Sequence, residues 1–501
     1  MIQIYPVTET EYHTINYFVK INGQQAAVDS ARVSAYPFNR RWPGHQRQIE
    51  QSELVNFISF ACDGETVLEI TPKEKFEHFV IRPRSLEFKS ELTSDGTIRV
   101  FMTKPAYFTI EPFGRRNALH VFADPMRQYD LSDCESLLYF GRGVHEVGML
   151  YLKNNQTVFI DKGAVVYGCI HAFEAKNIKI LGFGILDNSH NREEILFDAN
   201  EKNNITEVKN AKRTDTIQLE YCENIEIDGI TIRDSLVYNI RPIACKNLSI
   251  RNVKIIGCWR YNSDGIDMHN CENVHILNCF LRTFDDSICI KGFDCYYEGD
   301  VEKAVEKAMY WNGKKYDFFR NVLVENCTIW NDWGKCLEIG AETRAKDISD
   351  IHFKNCNIIH VTHNVLSCCN VDYADVHDIV YENITVEYDD RIPEPLIQGS
   401  DEENYFGSDP NYAPALINAE VIFHPEYSAG GMRRGKIRNV TYRNIHLFSN
   451  QQPAIGLYGF DRKHLCKNIV IKDLYWNNQK INQVKFILFQ QNEFCENVTF
   501  E

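Results

Sequence analysis

The sequence predicts an all-β protein: a parallel β-helix, each short strand stacked on the next, preceded by a small N-terminal β-sandwich. Three observations predict it. A segment reading asparagine, β-branched, any residue, β-branched recurs from Asn177 to the C-terminus at steps in the twenties, the period of a solenoid. Within each copy apolar and polar positions alternate with period two, which is the pattern of strands and not of helices. Before about residue 135 the chain instead reads as separate short strands joined by turns.

Composition narrows the function classes. Hydrophobic residues at 44% and charged residues at 25% are those of an ordinary folded chain. A net charge of −15 argues against nucleic acid or an anionic membrane as partner, because both would be repelled over most of the surface. No apolar run approaches the length of a membrane span. The start, MIQIYPVTETEYHTINYFVK, lacks the basic residues and apolar run of a secretory leader, so a cytoplasmic location is expected. The seventeen cysteines form no CxxC pair, which disfavours a zinc or iron–sulfur site. Cys271, Cys279, Cys327 and Cys356 each follow an asparagine of the repeat and are expected to fill the coil interior as reduced thiols. The Asn-x-Ser/Thr sequences at Asn204, Asn247, Asn326, Asn383, Asn439 and Asn497 follow from the repeat and are expected to be structural.

In chain order, residues 1–135 hold NFISFAC (56–62), TVLEITP (66–72), HFVIRP (78–83), GTIRVFM (96–102) and LHVFAD (119–124). Their alternation, with SDG at 94–96 as a turn, predicts an antiparallel β-sandwich. The coil is expected over 136–501. Its copies are KNIKILG (176–182), ENIEIDG (223–229), KNLSIRN (246–252), ENVHILN (272–278), RNVLVEN (320–326), SDIHFKN (349–355), HDIVYEN (377–383), RNVTYRN (438–444), KNIVIKD (467–473) and ENVTF (496–500). Leucine-rich repeats share the period, but their leucine spacing is absent. The asparagines are expected to stack at the bends and bond to one another. Two insertions interrupt the coil, at about 293–317 and 391–435. The first has helical spacing, with Val301, Ala304, Val305 and Ala308 on one face. It leaves the coil directly after a pair of aspartates, so it is expected to wall a cleft.

The chemistry gathers in WRYNSDGIDMHNCENVHILNCFLRTFDDSICIK (259–291). Asp264 and Asp285 are 21 residues apart, one coil turn, which places them and Asp286 on neighbouring rungs about 5 Å apart. Carboxylates so close cannot all ionise independently, and one keeps its proton near neutral pH. A glycosidase needs that pairing: an acid for the leaving oxygen and a base for water. Asp267, in the same segment, is expected to be a structural hydrogen-bonding group.

NSDGID (262–267) followed by FDDSICIKG (284–292) resembles glycoside hydrolase family 28, the polygalacturonase family, over roughly residues 145–501. The resemblance implies a right-handed, pectin-lyase-like β-helix and an inverting reaction. It makes Asp285 the general acid, with Asp264 and Asp286 holding and activating the water. The layout, with LKNNQTVFIDKGAVVYG at the junction, is similar to glycoside hydrolase family 49, and the family 110 α-galactosidases share a similar aspartate trio. The departures point elsewhere. Where family 28 has Gly-His-Gly this chain has DWGKCLEIGAET (332–343), with Lys335 in place of the histidine. The Arg-x-Lys that grips a galacturonate carboxylate has no counterpart near NVLSCCN (364–370). The expected substrate is therefore a neutral or differently charged oligosaccharide. His269 and Lys291 beside the trio, and Trp333, Lys335, Glu338, Glu342 and Arg344 as a wall with an aromatic platform, are the candidate sugar-binding residues. No metal and no organic cofactor is implied. The expected function is an inverting glycoside hydrolase; the alternatives are a fructosyl transferase, lyase or epimerase on the same scaffold, and a non-catalytic carbohydrate-binding β-helix.

Overall fold

A computed structural model describes residues 1–10, 13–35, 49, 52–191, 214–293, 309–392, 412–425, 428 and 433–501. The N-terminal part is two facing sheets. One is antiparallel and five-stranded, from Tyr17–Ile21, Gln24–Ala26, Thr66–Pro72, Lys89–Leu92 and Ile98–Met102. The other holds Ile2–Ile4, Asp29–Ser34, Ser52–Cys62, Val80–Arg82, Ala106–Arg115 and Leu119–Pro125. Alternate residues turn inward, so Val19, Leu68, Ile70 and Val100 of the first sheet meet Ile58, Phe60, Phe108 and Val121 of the second in one core. The sandwich is not wholly antiparallel as expected: Ser52–Cys62 and Leu119–Pro125 run parallel, with Leu119 opposite Asn56. Between them the chain passes through the other sheet, and a connection of that length lets it re-enter from the same end.

The coil is a sheet of thirty strands among the described residues, from Ser136–Phe140 to Cys495–Phe500. Each strand pairs in parallel with its counterpart one turn on, so Ile178, Ile225, Leu248, Val274 and Val322 lie in one column. A single antiparallel hairpin, Cys466–Trp476 with Gln479–Lys480, departs from that pattern among the described residues. The columns that face inward form one continuous apolar core, and Cys271, Cys279, Cys327 and Cys356 are part of it. No helix of the described residues is long and apolar enough to cross a membrane.

Asparagine makes the bends. Asn224 adopts φ 59°, a left-handed conformation that asparagine tolerates better than any branched residue. Its amide also donates to one rung and accepts from the next. Asn177 donates to Asn155, Asn224 to Asn177, Asn247 to Asn224, Asn273 to Asn247 and Asn321 to Asn273, at 2.8–2.9 Å throughout. One residue type thus turns the chain and fixes the register, which is why the repeat is spelled with it.

The sandwich lies along the coil. Ala31, Val33, Val55, Phe57 and Phe122 pack on Val165, Tyr167, Ile256, Phe280, Trp330 and Ile359. Residues 294–308, where helical spacing is expected, lie outside the described residues. The return of that insertion is a hairpin, Tyr310–Trp311 with Lys314–Lys315, beside which Met309 and Tyr316 pack on Ile243 and Phe293. The second insertion returns through Ile417–Val421, a coil strand paired with Leu366–Asn370.

Candidate active site

Three successive bends build the site. Asp264 precedes the strand Ile266–His269, the Asp285–Asp286 pair precedes Ile288–Lys291, and Lys335 precedes Leu337–Ile339. The register pairs Ile266 with Ile288 and His269 with Lys291. Asp264 is therefore level with Asp286, and the amide of Gly265 donates to the Asp286 carbonyl at 2.8 Å. Two glycines make this stacking possible. A Cβ on Gly265 would stand 2.3 Å from the Ser287 carbonyl oxygen, and one on Gly334 would stand 2.4 Å from the carbonyl carbon of Asp285. Only glycine lets the backbones approach so closely. The result is a trio in which one carboxylate oxygen from each of the three residues lies within 4.8 Å of the other two.

The electrostatics follow from crowding and burial. Burial, with Asp285 beside it, raises Asp264 well above the usual carboxylate range. Burial and Asp286 push Asp285 up to about 7, against the opposing pull of Lys291. Asp285 also accepts backbone N–H groups from Asn262 at 3.3 Å and Asp286 at 3.1 Å. Asp286 Oδ1 accepts the Lys335 amide at 2.8 Å. Asp267 goes the other way: burial would raise it, but Lys291 and His269 hold it far below the usual range. Lys291 Nζ lies 2.8 Å from Asp267, 3.6 Å from Asp264 and 3.7 Å from Glu342. Burial disfavours its charge, yet these carboxylates hold it well above the usual lysine value. Asp264 and Asp285 are both raised, so this pair keeps protons near neutrality. Asp264, Asp267 and the Cys289 thiol form a second cluster with a cation's spacing. In both clusters the Lys291 ammonium already supplies positive charge.

Lys291, Trp333, Lys335 and Glu342, singled out from the sequence, line a cavity of about 340 Å³ together with the trio. Trp333 stacks on Phe284, ring centroids 5.6 Å apart, and meets Tyr261 edge-on at 6.1 Å. The other three candidates do not line it. His269 is buried behind Asp267, with Nε2 3.1 Å from that carboxylate and Nδ1 2.9 Å from the Gly292 carbonyl. Glu338 points outward as its alternation implies, but Lys335 closes over it, 2.6 Å away. Arg344 is buried between the Phe293 carbonyl at 3.2 Å and Asp372 at 3.5 Å. In each case a polar partner close by takes up the group before it reaches the cavity.

Several contributors carried no motif. Tyr238, Tyr261, His363 and Glu420 line the cavity, and so do Ile422 and His424 at the return of the second insertion. His363 and Asn364 precede the strand Leu366–Asn370 as Lys335 precedes Leu337–Ile339, so counting one more coil locates them. Asn331 is also essential to the geometry. Its amide donates to the carbonyls of Asp285 at 2.7 Å and Lys335 at 3.2 Å, and its oxygen accepts the Trp333 amide at 3.1 Å. It ties the aspartate bend to the Trp333–Lys335 bend.

Residues 157–396 match the sequence model of glycosyl hydrolases family 28. A polygalacturonase of Brassica napus is 23% identical over 269 residues, covering 52% of this chain and 54% of its own length. A polygalacturonase of Gossypium barbadense is 26% identical over 210 residues, 39% of this chain and 49% of its own. The chain spans about half the length of the curated relatives it matches. Dex49A from Penicillium minioluteum superposes with a TM-score of 0.61 at 14% identity, over 99% of this chain and 96% of that one, so the whole layout is shared as a fold. The segment that holds Asp264, Asp285 and Asp286 thus carries the sequence pattern of glycosyl hydrolases family 28.

Proposed function

We propose that the protein is a glycoside hydrolase that cleaves an oligosaccharide by a single displacement with inversion. The observation that carries this reading is the trio: three carboxylates with oxygens within 4.8 Å at the wall of a 340 Å³ cavity, one of them pushed up to about 7. Asp285, protonated near neutrality, donates to the leaving oxygen. A water that makes bonds of about 2.8 Å to both Asp264 and Asp286 fits between oxygens no more than 4.8 Å apart. Its oxygen attacks the anomeric carbon as the glycosidic C–O bond breaks, and its proton passes to Asp286. The surrounding carboxylates favour the positive charge that develops on the sugar ring.

The substrate we propose is an uncharged glycoside. Among the described residues lining the cavity, both lysines already have carboxylate partners, and the remaining acidic side chains, Asp286, Glu342 and Glu420, offer an acidic sugar no cation. The names of the relatives favour a second reading, a polygalacturonan-like substrate. A cytoplasmic location belongs to the same proposal. The buried thiols along the coil support it, since an oxidising compartment endangers them.

The test is a panel of neutral and uronic oligosaccharides offered to the wild type and to Asp285→Asn, with product anomers followed by NMR. Inverted anomers from the wild type and none from the variant are expected. Retained anomers would replace the single displacement by a covalent route, for which carboxylates about 5 Å apart are usual. Cleavage of nothing, or equal activity in the variant, overturns the hydrolase in favour of transfer chemistry or plain binding.

A further inference from the structure

The cavity's two ammonium groups are held in different ways. Lys291 is bridged to three carboxylates, Asp267, Asp264 and Glu342, so neutralising any one leaves it paired. Lys335 Nζ donates to Glu338 at 2.6 Å. Glu338 is fully buried beneath it, and its second oxygen has no hydrogen-bond partner. The strand register does not ask for a carboxylate there: the same column holds Cys289 one rung before and Ser367 one rung after. A buried charge that the fold does not need, opposite the lysine that faces the cavity, calls for a functional explanation.

We infer that Lys335 and Glu338 form a charge lock that sets the substrate class, Glu338 holding the ammonium to the cavity floor so that the site admits an uncharged sugar and rejects the corresponding uronate. This rests on the site being a carbohydrate site. An incoming carboxylate meets a wall of acidic side chains and must displace Glu338 from a short, buried, charge-assisted bond. With Glu338 neutral, Lys335 becomes an uncompensated ammonium that seeks an anion, and the same cavity binds a uronate.

The groups facing the lock are Asp286 from the preceding rung, His363, Cys368 and Cys369 from the following one, and Glu420 beyond. Burial, with Lys335 opposing and Asp286 adding, pushes Glu338 up to about 7. Burial and Lys335 lower His363 to about 4, so it stays neutral across that range. The lock is closed above about 7, where Glu338 is ionised, and opens below it.

Calorimetric titration with matched probes, glucose with glucuronate and galactose with galacturonate, reads this directly and needs no cleavage. In the wild type one unit above the Glu338 transition, a neutral sugar is expected to bind at least about tenfold tighter than its uronate. Glu338→Gln is expected to gain about tenfold for the uronate, with the neutral sugar within about threefold, and the double variant with Lys335→Met to lose the gain. A uronate that binds the wild type as well as its neutral partner, or no gain in a folded Glu338→Gln, overturns the lock. Should Glu338→Gln fail to fold, the wild type decides: uronate affinity must rise on crossing below about 7 by more than it does in Lys335→Met, which keeps every aspartate of the trio. Equal rises in the two overturn the lock. A protein that shows the exchange but cleaves no glycoside fails as a hydrolase alone. One that cleaves without the exchange fails as a lock alone.

Discussion

Two groups of buried carboxylates meet at residues 331–333 and differ in how many cations face them. On the sandwich side, Glu111, Asp332, Glu387 and Asp389 face Arg82, Arg115, Arg282 and His360. Arg115 lies 2.5 Å from Asp389, His360 2.9 Å from Glu111 and Arg282 3.2 Å from Asp332. Burial would raise Glu111 and Asp389, but His360 together with Arg82 and Arg115 holds both below the usual range. Glu387 is raised, by burial that Arg82 and Arg84 do not fully offset. On the cavity side, Lys291 and Lys335 face Asp264, Asp267, Asp285, Asp286, Glu338 and Glu342. There Asp264, Asp285 and Glu338 are raised, and Asp267 alone, against Lys291 and His269, is lowered. Burial is common to the two sides; the supply of cations is not. Where cations match carboxylates the charges fasten two domains together, and where they fall short the carboxylates keep protons for chemistry.

The strongest way to break the cavity side is Asp285→Asn. It removes the proposed proton donor while keeping the shape, and turnover is expected to fall by about 10²–10⁴-fold in initial-rate measurements. The matching cut on the other side is Arg115→Met. It leaves Asp332 and Asp389 buried without that partner and is expected to cost about 3–5 kcal/mol in denaturant unfolding. A loss under about 1 kcal/mol would mean that apolar packing, and not the ion network, fastens the sandwich to the coil. Gly334→Ala sharpens the boundary between the two. Its Cβ would press on the backbone of Asp285 and Asp286 from 2.4–2.9 Å. Displacing the pair by a fraction of an ångström is expected to cost about 10²-fold in turnover, with less stability loss than Arg115→Met.

How much of this is legible in the sequence differs between the two sides for the same physical reason. The coil is legible because one residue type does two local jobs at every bend, and Asn224, Asn247 and Asn273 display the period directly. The trio is legible because one turn of that period separates Asp264 from the Asp285–Asp286 pair. Lys335–Glu338 is half legible: alternation along Leu337–Ile339 says that Glu338 points outward, but not that the lysine three residues earlier folds over it. His360, Glu111 and Arg115 are illegible as a cluster, because the partners are up to 249 residues apart and nothing local marks them. The parallel pairing of Ser52–Cys62 with Leu119–Pro125 is hidden likewise, since alternation gives the buried face of a strand but not its neighbour.

The smallest expected effect tests the comparison most sharply, because Asp285 on one side and Glu111 and Asp389 on the other should respond to pH with opposite sign. Asp285 has a folded value raised to about 7, so its contribution to stability is complete below the ordinary carboxylate range and is lost as pH rises through about 7. Glu111 and Asp389 have lowered folded values, so theirs is present above the ordinary carboxylate range and is lost as pH falls through it. Unfolding free energy should therefore decline on both flanks of a maximum, Asp285 contributing to the alkaline decline and Glu111 and Asp389 to the acid one. Asp285→Asn removes part of the first alone. Above pH about 7 the variant should be about 1–2 kcal/mol more stable than the wild type, and in mild acid indistinguishable from it. Arg115→Met should lower stability at both ends but reduce the acid slope, because Asp389 then has less cationic charge to lose. If Asp285→Asn gives the same difference on either side of about 7, Asp285 holds no raised proton, and the shortage of cations in the cavity is being met by a group other than the proposed acid.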